Sequence, residues 1–264
     1  MASELKKDMG QSLFVSSLAK GLKVFDAFAV GHRELGITEI AELTGLEKSA
    51  TSRNVQTLHK LGYLSRDPRS RKYAISAKVL SSAYLYLKAH PVIEVAMPRL
   101  VGLGDETDLS VTLCMLDDTD IIYAVRLDRR EFYHPTGHIG ERQPAYCTSG
   151  GRAILSRLPR DVARDILERS NRRKITPHTK TGIDEIMEEL KTISEKLYCL
   201  QAGEFIRNEI NLAAPVINSG NEPVAAVVIS RLYRKEQTTE IENELAPLLL
   251  QTVKEISSAI GARN

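Results

Sequence analysis

The segment best suited to chemistry runs from Gln143 to Leu155, QPAYCTSGGRAIL, a polar, glycine-bearing turn that opens straight into a helical pattern. That arrangement puts Ser149 and the amides of Gly150 and Gly151 at the positive end of a helix dipole, where a carboxylate would be held. The same residues also suit a purely structural role, with Thr148 or Ser149 capping the helix and the glycines allowing close packing. Cys147 has no base beside it in sequence, and neither GxSxG nor HExxH occurs. His134 and His138 stand four apart, but Pro135 and Gly137 between them exclude a regular helix, so no metal site is expected. Glu204, Glu209 and the acidic run from Asp184 to Glu189 read as a solvated loop and helix face rather than as acid–base pairs. Cys114, Cys147 and Cys199 are odd in number, widely spaced and without a CxxC pair, which predicts reduced thiols and no cysteine metal site. No catalytic constellation emerges, and neither an enzymatic activity nor a cofactor is expected.

A second group of chemistry-bearing residues lies near the N-terminus. In LEKSATSRNVQTLHKLGYL a helix starts at Lys48 or Ser49 with Val55, Leu58 and Leu61 inward, which leaves Lys48, Ser49, Thr51, Ser52, Arg53 and Gln56 on its outer face. These side chains donate readily to base edges and phosphates. A shorter helix precedes it, capped by Thr38 and stopped at Gly45, and Thr38 joins the candidate DNA contacts. The pair matches a helix-turn-helix. Two strand-like pieces follow, Tyr63 to Arg66 and Arg71 to Ile75, around an Asp67-Pro68-Arg69-Ser70 turn. Arg66, Arg69, Arg71 and Lys72 crowd this hairpin, as in a wing that lies along duplex DNA. Any one piece fits an ordinary helical hairpin or a charged sheet edge. The three in order point to double-stranded DNA.

The elements that must position these residues are legible as periods. Residues 1–12 lack one and predict a disordered tail. Leu18, Leu22, Phe25 and Ala29 recur at helical spacing and predict a first helix ending near Gly31, with a winged helix-turn-helix domain over 13–75. Ser76 opens a linker helix over 76–90, broken at His90-Pro91. Beyond it, residues 91–264 predict an α+β domain. Its helices lie near 92–105, with a kink at Pro98, and at 152–158, 160–169 and 182–197. Its hairpins are Leu109–Leu116 with Ile121–Leu127 and Asn211–Ile217 with Val224–Ser230. A final helix is capped by Thr239 and Glu242.

Composition agrees with this division. Hydrophobic residues make up 42% and charged residues 27% of the 264, which is globular. The net charge of +2 hides an asymmetry: residues 1–90 hold 14 Lys and Arg against 8 Asp and Glu, and the remainder holds 22 against 26. A basic module on a mildly acidic domain suits nucleic-acid binding by the former. The chain shows no apolar run of membrane-spanning length and no apolar leader at its start, so a cytoplasmic protein without a membrane partner is expected.

Over nearly its whole length the sequence resembles the IclR family of bacterial transcriptional regulators. The resemblance rests on SLAKGLKVFDAF, GITEIAELTGLEKSATSRNVQTLHKLGYLSRDP, PAYCTSGGRAIL and LAAPVINSGNEPVAAVVIS, in that order. It implies a homodimer, often paired into a tetramer, that binds a pseudo-palindromic operator and holds a small organic acid in a GAF-like C-terminal domain. It also implies a pocket made of Phe132, Ser149, Gly150, Gln201, Asn211, Val228 and Ser230. Where the family has an acidic residue, this chain has Gln201, and the family's P-L-H-C-T-A-x-G-K stands here as PAYCTSGGR. The PAYCTS variant looks most like members that respond to aromatic carboxylates such as protocatechuate or hydroxybenzoate, with a short aliphatic acid or semialdehyde as the alternative. The competing readings are a protein–protein adaptor and a small-acid enzyme carrying a basic module.

Overall fold

The structure, a computed structural model, describes residues 14–29, 34–129, 137–232 and 238–262. It divides into two compact units, one ending at Tyr86 and the other beginning at Leu87. No described helix is long and apolar enough to cross a membrane.

The N-terminal unit is built from α1 (Ser16–Asp26), a 3-10 turn (Ala27–Ala29), α2 (Ile37–Thr44), α3 (Lys48–Lys60) and the strands β1 (Leu64–Arg66) and β2 (Tyr73–Ile75). Its core gathers Val24, Phe28, Leu35, Ile40, Val55, Leu64 and Tyr73. Between α2 and α3 the chain turns through Gly45, whose φ of +64° lies in the left-handed region that glycine enters without steric cost. The hairpin pairs Leu64 with Ile75 and Arg66 with Tyr73, and Leu35 adds a third short strand by exchanging both backbone hydrogen bonds with Tyr73. Helix α4 (Val79–Ala89) follows without a buried residue.

Three expectations fail here. Leu18 and Leu22, read as the inward stripe of α1, are 62% and 55% exposed, and Val24 fills the core instead. Thr38 is not the cap of α2, because the helix starts at Ile37 with Gly36 as its N-cap, its amide held by the Glu39 carboxylate at 2.6 Å. Leu61, expected inward on α3, is exposed as well.

The C-terminal unit is one six-stranded antiparallel sheet with helices on both faces. In spatial order its strands are β5 (Arg142–Pro144), β4 (Asp120–Leu127), β3 (Ser110–Asp117), β8 (Pro223–Leu232), β7 (Glu209–Ile217) and β6 (Cys199–Ala202). Because strand side chains alternate between faces, each strand feeds two cores. Val111, Leu113, Leu212, Ala214, Val227 and Ile229 pack under α5 (Pro91–Thr107) and α9 (Thr238–Ala259). Cys114, Ala213, Ala226 and Val228 face the other way, toward α6 (Ser149–Leu155), α7 (Arg160–Arg169) and α8 (Ile183–Lys196). Helix α9 starts at Thr238, so Thr239 falls within its first turn. Glu242 accepts hydrogen bonds from Tyr198 at 2.7 Å and Lys196 at 3.1 Å.

Helix α6 packs unusually close to its own approach. A Cβ on Gly151 would lie 2.3–2.7 Å from the backbone of Ala145, which cannot move aside. Gly151→Ala is therefore expected to cost about 3 kcal/mol or more, at or beyond the upper end of ordinary overpacking. A lowered urea midpoint at unchanged slope would register the loss. An unchanged midpoint would mean that α6 can shift off Ala145.

Candidate DNA interface and effector pocket

On α3 the outward face presents Lys48, Ser49, Arg53 and Gln56 as exposed side chains, with Ser52 half-buried beside them. Their positions lie within two turns on one side of the helix, the geometry by which a recognition helix reaches a major groove. Thr51 does not belong to this face. It is completely buried, and its hydroxyl has no hydrogen-bond partner. Its spacing of four from the buried Val55 places it on the core side of the helix.

The wing is shaped by its own side chains. Asp67 accepts hydrogen bonds from the amides of Arg69 at 2.9 Å and Ser70 at 2.6 Å, and those to Ser70 hold its carboxyl below the ordinary range. This turn leaves Arg66, Arg69 and Arg71 exposed. Arg66 also lies over the Tyr73 ring, 5.5 Å from its centroid. Lys72 is engaged differently, in an ion pair with Glu39 at 3.1 Å that ties the wing to the first turn of α2. Thr38 is exposed one residue from Glu39.

In the C-terminal unit a polar pocket forms where the start of α6 meets the sheet. Ser149, Gly150, Gln201, Asn211 and Val228, five of the seven expected pocket residues, line it together. Ser230 stands behind them and donates a 2.6 Å hydrogen bond to Asn211 Oδ1, so it orients a lining residue rather than lining the pocket. Phe132 lies outside the described residues, as does His134. Among the described residues no group of three His, Cys, Asp or Glu is placed to hold a metal.

Seven further residues line it that were not among those expected to: Ile121, Tyr123, Gln143, Thr148, Phe205, Ile206 and Glu209. Ile121 and Tyr123 alternate on β4, a readable signal once that strand is known to border the site. Tyr123 donates to Gln143 at 2.8 Å, and burial pushes its phenol above the ordinary range. The pocket is small, with about 20 Å³ of open space.

The polar atoms of the pocket are unevenly satisfied. Thr148 is the N-cap of α6, yet its hydroxyl donates to Pro144 O at 2.9 Å, so the helix has no side-chain cap. Gln201 is 97% buried by its 3% exposure, and its Nε2 has no hydrogen-bond partner. A buried donor without an acceptor costs about 1–3 kcal/mol, which an acceptor on a bound molecule would relieve.

Beneath α6 lies a charge cluster whose carboxylates, Glu189 and Glu204, were expected in solvent. Arg152 is fully buried. It donates to Tyr146 O at 2.8 Å, to both oxygens of Glu204 at 2.7 and 2.8 Å, and to Glu189 at 2.9 Å. Burial works against its charge, but the hydrogen bonds and nearby charges of the two glutamates outweigh it and hold the guanidinium above its ordinary value. Glu204 and Glu209 are both more than nine-tenths buried, so neither is the solvated loop residue expected.

A basic reading helix with a wing in one unit, and a polar pocket in the other, define a transcriptional regulator that binds DNA and responds to a small molecule. Comparison with known proteins identifies the kind. Residues 84–258 match the family model described as the bacterial transcriptional regulator IclR C-terminal, and residues 17–68 match the IclR helix-turn-helix domain. The chain belongs to the IclR family. It is 30% identical to the p-hydroxybenzoate hydroxylase transcriptional activator of Acinetobacter baylyi over 252 residues, covering 94% of this chain and 92% of that protein. An IclR family transcriptional regulator from Brucella abortus superposes with a TM-score of 0.79 at 29% identity, over 94% of each chain. The inducer-binding domain of the PobR transcription factor from Acinetobacter, a double mutant solved with 3-hydroxybenzoic acid, superposes with a TM-score of 0.57 at 27% identity. That match covers 62% of this chain and 96% of that one. The expected winged helix-turn-helix and α+β effector domain are thereby established, and the relatives are transcriptional regulators rather than enzymes.

The three thiols take no part in this site. Burial is the main force that pushes Cys114, Cys147 and Cys199 up to about 12, so almost no thiolate forms at neutral pH. The folded protein is expected to react with Ellman's reagent at pH 8 at least about a hundredfold more slowly than the denatured chain, which should release all three equivalents. Fast reaction of even one thiol in the native state would contradict this placement.

Proposed function

We propose that this regulator controls a catabolic operon for aromatic acids and that a hydroxybenzoate-type carboxylate is its effector. The observation that carries the effector reading is the partnerless Nε2 of Gln201 in the same pocket as Ser149, Tyr123 and the uncapped start of α6. A carboxylate oxygen would satisfy that donor, Ser149 and Gly150 border the same space, and Asn211, held by Ser230, orients the rest. Val228, Ile121 and Phe205 supply apolar contacts for a ring. The relatives named for p-hydroxybenzoate hydroxylase control and solved with 3-hydroxybenzoic acid support the aromatic class.

Operator binding falls to the N-terminal unit. In this reading Arg53 and Gln56 read base edges, with Ser49 and Ser52 beside them. Lys48, Thr38, Arg66, Arg69 and Arg71 contact phosphates, and Lys72 braces the wing through Glu39. The protein acts as a homodimer on a pseudo-palindromic site, with dimers pairing further. Two exposed apolar surfaces support self-association: Phe14, Val15, Leu18 and Leu22 at α1, and Leu80, Tyr84 and Leu85 on α4. Isologous pairing would set half-sites about one helical turn apart, or a multiple of it.

Fluorescence anisotropy on the DNA flanking the gene, with random duplex as competitor, tests the interface. Arg53→Ala and Gln56→Ala should each cut discrimination between cognate and random DNA by about 1–3 kcal/mol. Arg69→Ala should weaken both evenly and lower the salt slope by about one. Equal losses on both DNAs for all three variants would remove base reading from α3.

Calorimetry tests the pocket. The wild type should bind 4-hydroxybenzoate, and Gln201→Leu and Ser149→Ala should each weaken that binding about tenfold, equivalent to roughly 1.4 kcal/mol, while leaving operator affinity intact. Binding of a short aliphatic acid in place of any benzoate would overturn the aromatic assignment.

A further inference from the structure

The pocket has two walls that meet over the ligand space. One is the start of α6 with Ser149 and Gly150, and the other is the connection from β6 to β7, which brings in Phe205 and Ile206. The second wall is irregular backbone, bounded by left-handed residues at Gly203 (φ +70°) and Asn208 (φ +60°). Irregular backbone of this kind has little intrinsic order. Yet the residue that immediately precedes Phe205 is one of the most tightly held in the protein.

Glu204 meets Arg152 through two parallel hydrogen bonds of 2.7 and 2.8 Å, the planar fork-to-carboxylate geometry that fixes direction as well as distance. Arg152 is the fourth residue of α6, so this contact runs from one wall of the pocket directly to the other. The same carboxylate accepts a hydrogen bond from the Lys180 backbone amide at 3.0 Å, and Lys180 Nζ donates to Glu189 at 2.7 Å, so Lys180 links the two carboxylates, one through its main chain and the other through its side chain. Thr176 and Thr179 add hydrogen bonds of 2.6 Å each to the carbonyls of Gly203 and Glu204. The threonines tie one loop to the other, and Arg152 ties both to α6. None of these groups lines the pocket, so they act on a ligand only through the wall they hold.

We propose that Arg152 and Glu204 are positioning residues that clamp the 203–206 wall against the start of α6 and thereby set effector affinity. The inference rests on the pocket being the effector site. With the clamp in place, Phe205 and Ile206 are ordered before the ligand arrives, so binding does not have to order them.

The test pairs a ligand-free readout with a binding readout. By hydrogen exchange, Glu204→Gln should raise amide exchange over residues 203–206 at least tenfold while β3 and β8 stay as protected as in the wild type. By calorimetry with 4-hydroxybenzoate, its affinity should fall at least tenfold. Glu204→Gln leaves part of a buried charge unpaired and can destabilise the fold, so a second variant, Arg152→Met with Glu204→Leu, removes both charges together. That variant should melt near the wild type yet keep the fast exchange and the weak binding. Wild-type protection over 203–206 in either folded variant, or wild-type affinity in the double variant, would overturn the clamp. If the wild type binds no benzoate, the reading of the pocket fails by itself and the clamp is judged on exchange alone.

Discussion

A guanidinium with no exposed surface constrains the C-terminal unit more than any other group. Taking a charge out of water costs several kcal/mol unless paired and hydrogen-bonded partners surround it. Arg152 meets that demand with two carboxylates and a carbonyl, drawn from α8, the β6–β7 connection and the turn before α6. Those three segments are far apart in sequence, 37 residues to Glu189 and 52 to Glu204. Satisfying one side chain therefore sets where α8 lies, where the 203–206 wall stands and how the Ala145–Cys147 turn enters the helix. The glycines answer the same geometry from the other side. A Cβ on Gly150 would lie 2.5 Å from Cys114 Sγ on the sheet and one on Gly151 would strike Ala145 in the turn before the helix, so α6 sits this close to both only with those two side chains absent.

The sheet transmits this arrangement in rows. Gln201 pairs with Asn211, Asn211 with Ser230 and Ser230 with Ser110, so one line across four strands carries polar side chains. The neighbouring row pairs Cys199 with Ala213, Ala213 with Val228 and Val228 with Thr112, so it is apolar from β6 to β8 and ends on a threonine in β3. A site with a polar row next to an apolar row suits a ligand that has a charged end and a flat hydrophobic body. Strand register creates this order, because a slip of one residue would exchange the two faces.

Much of the architecture was legible because it is periodic. The alternation in LSVTLCML marks a strand, the structure sends its two sides to two cores on opposite faces of one sheet, and the hairpin turns fall where Asp, Asn and Gly collect. Thr51 was equally legible and was misread: a residue four before Val55 shares its face, and residue type was given more weight than spacing. The stripe on α1 is a different failure. Periodicity shows that Leu18 and Leu22 share a side but not which surface covers that side, and here their own core does not. Glu204 and Glu209 looked solvated because acidic residues are seldom buried without a partner. For Glu204 that partner is an arginine 52 residues away, a pairing that only tertiary structure creates. The pocket residues of β4 and of the 203–206 wall were hidden for the same reason.

Division of labour between the two units follows from where each spends its charge. In the C-terminal unit the Arg152, Glu189 and Glu204 charges are buried or half-buried and satisfy one another, and the pocket beside them is bordered by the neutral Gln201 and Ser149 and by the carboxylate of Glu209. In the N-terminal unit Lys48, Arg53, Arg66 and Arg69 remain in solvent, where each is cheap to hold and free to displace counterions from a duplex. A ligand can alter operator binding only if it binds unequally to two states of the protein, and linkage then makes the effect reciprocal. The start of α6 and the β6–β7 connection border the pocket, so they are the elements through which a ligand held there would tell the two states apart.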